Sequence, residues 1–200
     1  LTQYYDCLIP NVTDGVFSDV SVRQAIAFAL DKRDLISKAL LGHAVAPDYP
    51  IPLDSFLSSG STNIHEYNLQ KAIELLDTAG WKNRDDDPVF EAVINTLLYD
   101  LTIDLLIYEN SEDTYRRDVA DNIKAQLINV GIEVNIIEVP YSEYLIRLAN
   151  KDLDLALCSF YLDQNPDPTF MIGTGGSANY GGFTDLNMDL LLQNCKTATN

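Results

Sequence analysis

Asp163 is the acid in this sequence best placed to hold a ligand. It stands in YLDQNPDPTF (161–170), three residues beyond the expected end of the apolar run LDLALCSF (153–160), and the glycine-rich GTGGSANYGG (173–182) follows. A carboxylate there can anchor an ammonium group, because a charge-assisted hydrogen bond strengthens where water is excluded. Phe160, Tyr161 and Tyr141 are candidate walls of an aromatic cleft around it. The residue types leave other roles open. Asp163 also suits a helix N-cap, a turn or an exposed position, and each aromatic also suits core packing.

Catalytic chemistry is poorly supplied. His43 and His65 have no His, Cys or Glu partner at metal-ligand spacing. No GxSxG elbow or HExxH pair occurs, so the sequence does not read as an enzyme, and it implies no cofactor. Cys7, Cys158 and Cys195 are too few and too far apart for a disulfide framework or a CxxC metal site. Cys158, within an apolar run, reads as a buried inert thiol. The glycine-rich segment lacks the Lys-Ser/Thr pair of a phosphate loop. Its glycines suit either close backbone approach to a ligand or neighbouring lobe, or a flexible surface loop. RDDDP (84–88) lacks the alternating ligands and glycine of a calcium loop and reads as a solvated turn.

The elements that must position these residues follow from periodicity. Val22, Ala25, Ile26, Ala29 and Leu30 recur at helical spacing, with Asp19 or Ser21 as cap. Asp31 can cap a second helix closed by Gly42, and Asn68 a third that buries Ala72, Leu75, Leu76 and Ala79 and ends at Gly80. Residues 43–66, with Pro47, Pro50 and Pro52, read as irregular coil that wraps the surface or rims a cleft. From Leu101 the order is strand LTIDLLIY, helix 114–130, strand IEVNIIE, helix 142–150 and strand LDLALCSF. Strands joined by such crossovers run parallel, so their carboxyl ends share one edge. Open α/β sheets bind ligands in the crevice at that edge. Asp163, Tyr161 and Tyr141 are therefore expected within reach of one another.

Composition narrows the partners. Among 200 residues, 46% hydrophobic, 13 Lys and Arg face 30 Asp and Glu, a net charge of −17. That charge repels the phosphate backbone of nucleic acid and disfavours an anionic membrane surface. No run approaches the roughly 18 apolar residues of a spanning helix. Leu1 is not an initiator methionine and no signal-peptide pattern follows it. The chain is expected to be one part of a longer protein, with a partner segment elsewhere.

FSDVSVRQAIAFALDKRDLISKALLG, YNLQKAIELLDTAGW, the run from VADNIKAQLINVG to FYLDQNPDP, and NYGGF occur in this order. Together they resemble the family 5 extracellular solute-binding proteins, receptors for oligopeptides, dipeptides or nickel that serve ABC importers. The resemblance covers nearly all of the chain and implies the carboxyl-side lobe of a two-lobed receptor. The implied fold is an α/β, type II periplasmic-binding-protein-like lobe over residues 1–200, with a βαβαβ core and a mixed, mainly parallel sheet. The implied partners are a peptide ligand, the missing first lobe and an ABC transporter permease. The receptor would act as a monomer, periplasmic or lipid-anchored at the cell surface. Phe160 and Asp163 match the family's aromatic-x-x-Asp pattern, whose aspartate binds a peptide α-ammonium. The usual Trp is Phe here. Tyr141 falls where some peptide receptors place a pocket aromatic, and Asn179 and Tyr180 match an Asn-Tyr ahead of the last helix. Nickel, a metal chelate or an oligosaccharide are the alternative ligands, although bare nickel would want His or softer ligands at the site, and an effector or enzyme domain on a similar fold is the alternative of another class.

Overall fold

A computed structural model of the chain describes residues 4–47, 49–51, 65–85, 87–111, 114–162 and 167–197. The parallel strands are β4 (Thr102–Tyr108), β5 (Glu133–Val139) and β6 (Leu155–Tyr161), connected by α4 (Tyr115–Leu127) and α5 (Tyr141–Asn150). This is the expected βαβαβ unit. The first strand, β1 (Tyr4–Pro10), joins the same sheet antiparallel to β6, giving the order β1-β6-β4-β5. The sheet is mixed and mainly parallel.

Alternation along the strands divides the core into two faces. Ile103, Leu105, Ile107, Val134, Leu155 and Leu157 point to the first face, and α4 covers them with Val119, Ala120, Ile123 and Leu127. Behind α4 lie α1 (Val20–Ala29) and α3 (Leu69–Thr78), which share this core through Val22, Ala25, Ile26, Ala72 and Leu76. Leu106, Val139, Ala156 and Cys158 point to the second face, under Tyr144 and Leu148 of α5. Cys158 is 2% exposed, the buried thiol its apolar run suggests.

The helix starts are set by side-chain caps. Asp19 accepts from the backbone N–H of Ser21, Asp31 from Arg33 and Asp34 ahead of α2 (Lys32–Ala39), and Asn68 from Lys71. Gly42 and Gly80 take the left-handed conformation expected after helices, and Leu41 adopts it as well (φ 51°). Of the coil over 43–66, residues 48 and 52–64 lie outside the described residues, and the described remainder carries neither helix nor strand.

One element has no counterpart in the sequence reading. β2 (Glu91–Ile94) and β3 (Leu97–Asp100) form an antiparallel hairpin immediately before β4. Asn95 and Thr96 turn it, both at positive φ (50° and 72°). This is the two-residue geometry that matches strand twist, which Asn-Gly announces far more clearly than Asn-Thr. After β6 come the short α6 (Thr169–Ile172), the glycine-rich loop and α7 (Leu186–Thr197).

Candidate functional site

The carboxyl ends of β4, β5 and β6 share one edge with the amino end of the antiparallel β1. Strand β6 continues through Tyr161, so Asp163 follows it by two residues instead of three. Asp163 itself lies outside the described residues. Alternation sends the two aromatics before it to opposite faces. Half-buried Phe160 turns to the second face, edge-on to Phe170 of α6 at 5.6 Å and stacked with Tyr180 at 6.5 Å. Exposed Tyr161 turns to the first face and meets Tyr4 edge-on at 5.8 Å. Tyr4 was not a sequence candidate, because only the ladder brings the start of β1 to this edge.

Tyr141, the first residue of α5, is also exposed at the edge. Its ring packs against Tyr108, the last residue of β4, at 4.9 Å and stacks with Tyr144 at 6.3 Å. Phe160, Tyr180, Tyr108 and Tyr144 all pack in the second-face cluster. Of the sequence candidates, Phe160 and Tyr180 are therefore in ring contact, Tyr141 joins them through the tyrosines of that face, and Tyr161 stands on the opposite side.

The glycine-rich loop is built against β1 and the residues that follow it in the same chain. Val12 donates to the carbonyl of Gly181 at 2.9 Å, and a Cβ on Gly181 would collide with the carbonyl oxygen of Pro10, the last residue of β1. Only glycine allows that approach. Asn179 organises the loop: its amide donates to the carbonyls of Gly173 (2.9 Å) and Phe183 (2.7 Å) and accepts from the N–H of Phe183 (2.9 Å). These bonds use the side chain locally and hold Tyr180 under Phe160. Beside the loop, Asp167 accepts from the backbone and hydroxyl of Thr169 and pairs with Lys196 of α7 at 3.0 Å. Burial works to raise the Asp167 pKa, but the Thr169 bonds and Lys196 outweigh it and hold the carboxyl below its usual range.

A second feature of the edge, absent from the sequence reading, is Arg116 in the first turn of α4. It is 2% exposed. Its guanidinium donates to the hydroxyls of Tyr115 (2.8 Å), Tyr108 (2.9 Å) and Ser159 (3.0 Å), and lies 4.2 Å above the Tyr108 ring. Ser159 in turn donates to Asp6 of β1. The buried cation thus reaches the Asp6 carboxylate through a hydroxyl, and its Nε has no hydrogen-bond partner. Burial raises the Tyr115 pKa, with Ser159 and Arg116 opposing the rise, so the phenol stays neutral and able to donate. Arg116 spans the sheet edge, from the α4 side to a tyrosine of the other face. No sequence pattern distinguishes it from its exposed neighbour Arg117.

The remaining polar candidates lie elsewhere. His65 packs edge-on against Phe28 at 5.0 Å, and His43 is exposed beyond α2. Asp85, Asp87 and Glu91 bring carboxylate oxygens within 4.8 Å of one another. Local bonds account for this: Asp85 accepts from the N–H of Asp87, Asp87 from Val89, and buried Glu91 from Arg84. The turn expected over 84–88 is present, although residue 86 lies outside the described residues. A concavity of about 340 Å³ opens between Leu148, Lys151, Tyr180 and Phe183. It lies toward the end of α5 remote from Tyr141, away from the shared strand edge.

Comparison with known proteins agrees with this architecture. The chain is 26% identical to the oligopeptide-binding protein AppA of Bacillus subtilis over 95% of its own length and 35% of that protein's. It is 25% identical to heme-binding protein A of Haemophilus influenzae over 95% and 33% of the respective lengths. Among solved structures, AppA of B. subtilis in complex with a nonapeptide superposes with a TM-score of 0.86 at 25% identity, covering all of this chain and 40% of AppA. NikZ of Campylobacter jejuni in complex with Ni(L-His) superposes at 0.85 with 22% identity, which shows a shared fold. The chain spans only about a third of the curated relatives it matches. The family model for bacterial extracellular solute-binding proteins, family 5, middle region, matches residues 2–182, and the chain belongs to that family.

Proposed function

We propose that this chain is one lobe of an extracellular receptor that captures peptides and presents them to an ABC importer. The observation that carries the proposal is the aromatic shelf at the carboxyl edge of the parallel strands, where Phe160, three residues before Asp163 in the chain, is braced by Phe170 and Tyr180. Such a shelf offers apolar faces with polar tips to an amphipathic chain. Asp163 supplies the charge for the peptide ammonium, while Phe160 and Tyr141, with Tyr161 on the other flank, supply the walls. Tyr180 braces Phe160, and Asn179 fixes Tyr180. The likeness to AppA at 25–26% identity supports the peptide class.

The lobe performs no reaction in this reading. Hinge closure against the first lobe buries the ligand, and the closed receptor engages the permease. The lobe alone binds peptide weakly, because half of the enclosing surface belongs to the other lobe. The test uses the full receptor chain, purified with its natural cargo and analysed by mass spectrometry. Peptides should co-purify with the parent and be lost with Asp163→Asn and with Phe160→Ala. Undiminished peptide capture by Asp163→Asn would remove the anchor. A metal chelate or haem as the sole cargo would overturn the peptide class.

A further inference from the structure

Cys7 and Cys158, far apart in sequence, face each other directly in the β1–β6 ladder. Directly opposed residues of an antiparallel pair project to the same side of the sheet, and both cysteines pack in the second-face cluster. The backbone N–H of Asn11 donates to the carbonyl of Asp154 at 2.9 Å, which continues the same ladder one step beyond Pro10 and Leu155. Alternation then makes Cys7 and Cys158 a hydrogen-bonded pair, a class whose Cα atoms stand about 5.5 Å apart. That separation lies inside the roughly 4.4–6.8 Å Cα range of disulfides, but the Cβ atoms of such a pair stand about 5.5 Å apart where a bridge needs roughly 3.5–4.5 Å, so the strands must close by about 1 Å at this pair. Among the described residues β1 is the edge strand of the sheet, so it can take the shift a bridge requires. Both thiols are free in the structure.

We propose that Cys7 and Cys158 are joined by a cross-strand disulfide in the exported protein, stapling edge strand β1 to the strand that ends at the aromatic shelf. The inference rests on the family's extracellular setting, where disulfides persist, and not on the identity of the ligand. The oxidant is itself a disulfide, of glutathione or of an exchange enzyme. One cysteine thiolate attacks it, forming a mixed disulfide and releasing one thiol. The second thiolate then attacks the mixed disulfide at the protein sulfur and releases the other thiol. The two protein sulfurs lose two electrons, the external disulfide gains them, and the two protons leave with the released thiols.

Burial dictates when this happens. In the folded lobe burial pushes the Cys158 thiol up to about 11, with Tyr144 and Arg116 opposing, and raises Cys7 further still, reinforced by Cys158 and Asp6. Thiols so rarely ionised exchange slowly. The bridge therefore closes while the β1–β6 ladder is still open, and the completed sheet shields it.

The test uses the full receptor chain carrying Cys195→Ser, exported into an oxidising compartment, alkylated in denaturant without reductant and then digested. The expected product is a peptide pair linked through Cys7 and Cys158, with neither residue alkylated. Reduction should lower the Tm by about 5 °C, and a receptor that also carries Cys7→Ser and Cys158→Ser should not respond to reductant. Refolding of reduced protein with oxidised glutathione should close the bridge about tenfold faster than the same oxidant added after folding. Complete alkylation of both thiols in the exported protein would overturn the proposal. Equal rates in the two refolding arms would overturn the order of events.

Discussion

The two faces of the central sheet are filled with different chemistry. The first face is aliphatic: Ile103, Leu105, Ile107, Leu155 and Leu157 meet Val119, Ala120, Ile123 and Leu127 with almost no polar atom among them. The second combines aliphatic Leu106, Val139, Leu148, Leu153 and Ala156 with the polar-tipped Tyr108, Tyr144 and Tyr180, Phe160 and the cysteine pair. Aliphatic side chains interdigitate without hydrogen-bonding requirements, so the first face can be dry and close-packed. Tyrosines bury a ring while keeping a hydroxyl that needs a partner, which suits a surface half in the core and half in a cleft. The fold is anchored on one face, and the described aromatic candidates other than Tyr161 gather at the rim of the other.

That contrast can be broken most forcibly from the aliphatic side. Leu127 is fully buried at the end of α4. Leu127→Ala should cost about 2–5 kcal/mol, the range for a leucine truncated in a closed core, measured as a fall in the denaturant midpoint at unchanged slope. A loss under about 1 kcal/mol would show that the first face is not close-packed.

Arg116 tests the seam between the faces. Its guanidinium ties the Tyr115, Tyr108 and Ser159 hydroxyls into one network at the strand edge. Arg116→Met keeps much of the stem and removes the charge. The expected cost is about 1.5–3 kcal/mol, the range for hydrogen bonds to a charged group, below that of Leu127→Ala. A structure of the variant should show the Tyr108 ring displaced and Leu127 unmoved. An unmoved Tyr108 would mean that the two faces are not joined through this residue.

The same contrast decides what could be read in advance. Helical and alternating periodicity are properties of aliphatic cores, so α1, α3, α4 and the three parallel strands were legible from residues such as Val22, Leu76 and Leu105. The caps at Asp19, Asp31 and Asn68 were legible too, being local. What escaped depends on contacts distant in sequence. Tyr4 meets Tyr161, and Cys7 meets Cys158, only through the β1–β6 ladder. Arg116 looks like a surface arginine until Tyr108 and Ser159 are brought to it. The β2–β3 hairpin escaped for a local reason, since Asn-Thr is a weak turn signal and Val93, Leu97 and Leu98 are exposed rather than alternating. The glycine-rich loop could be recognised as special, but not that its closest approach is to Pro10 at the end of β1.

The smallest effect sharpens the contrast by asking whether the segment beyond the aromatic shelf loosens in acid before the aliphatic face. The loop and α7 beyond the aromatic shelf are held by carboxylates. Asp167 pairs with Lys196, and Asp189 accepts from the N–H of Thr174 at 2.8 Å, which lowers its pKa. Both pKa values are depressed from an ordinary 3.8. A carboxyl depressed on folding stabilises the fold above its unfolded pKa, and that contribution is lost as pH falls through the folded value. Among the described residues the aliphatic side chains of the first face pack without a carboxylate, and the Arg117 pairs with Asp121 and Glu138 on α4 are largely exposed, so the stability of this face should not follow this titration. Hydrogen-exchange protection, corrected for the intrinsic rate, should therefore fall in α7 below about pH 4 while α4 stays protected. Asp167→Asn should remove part of the change in α7. At neutral pH it should cost no more than about 1 kcal/mol, since the pair is partly exposed and screened by solvent. Loss of protection in α4 and α7 at the same pH would mean that α7 and its loop do not loosen ahead of the aliphatic core.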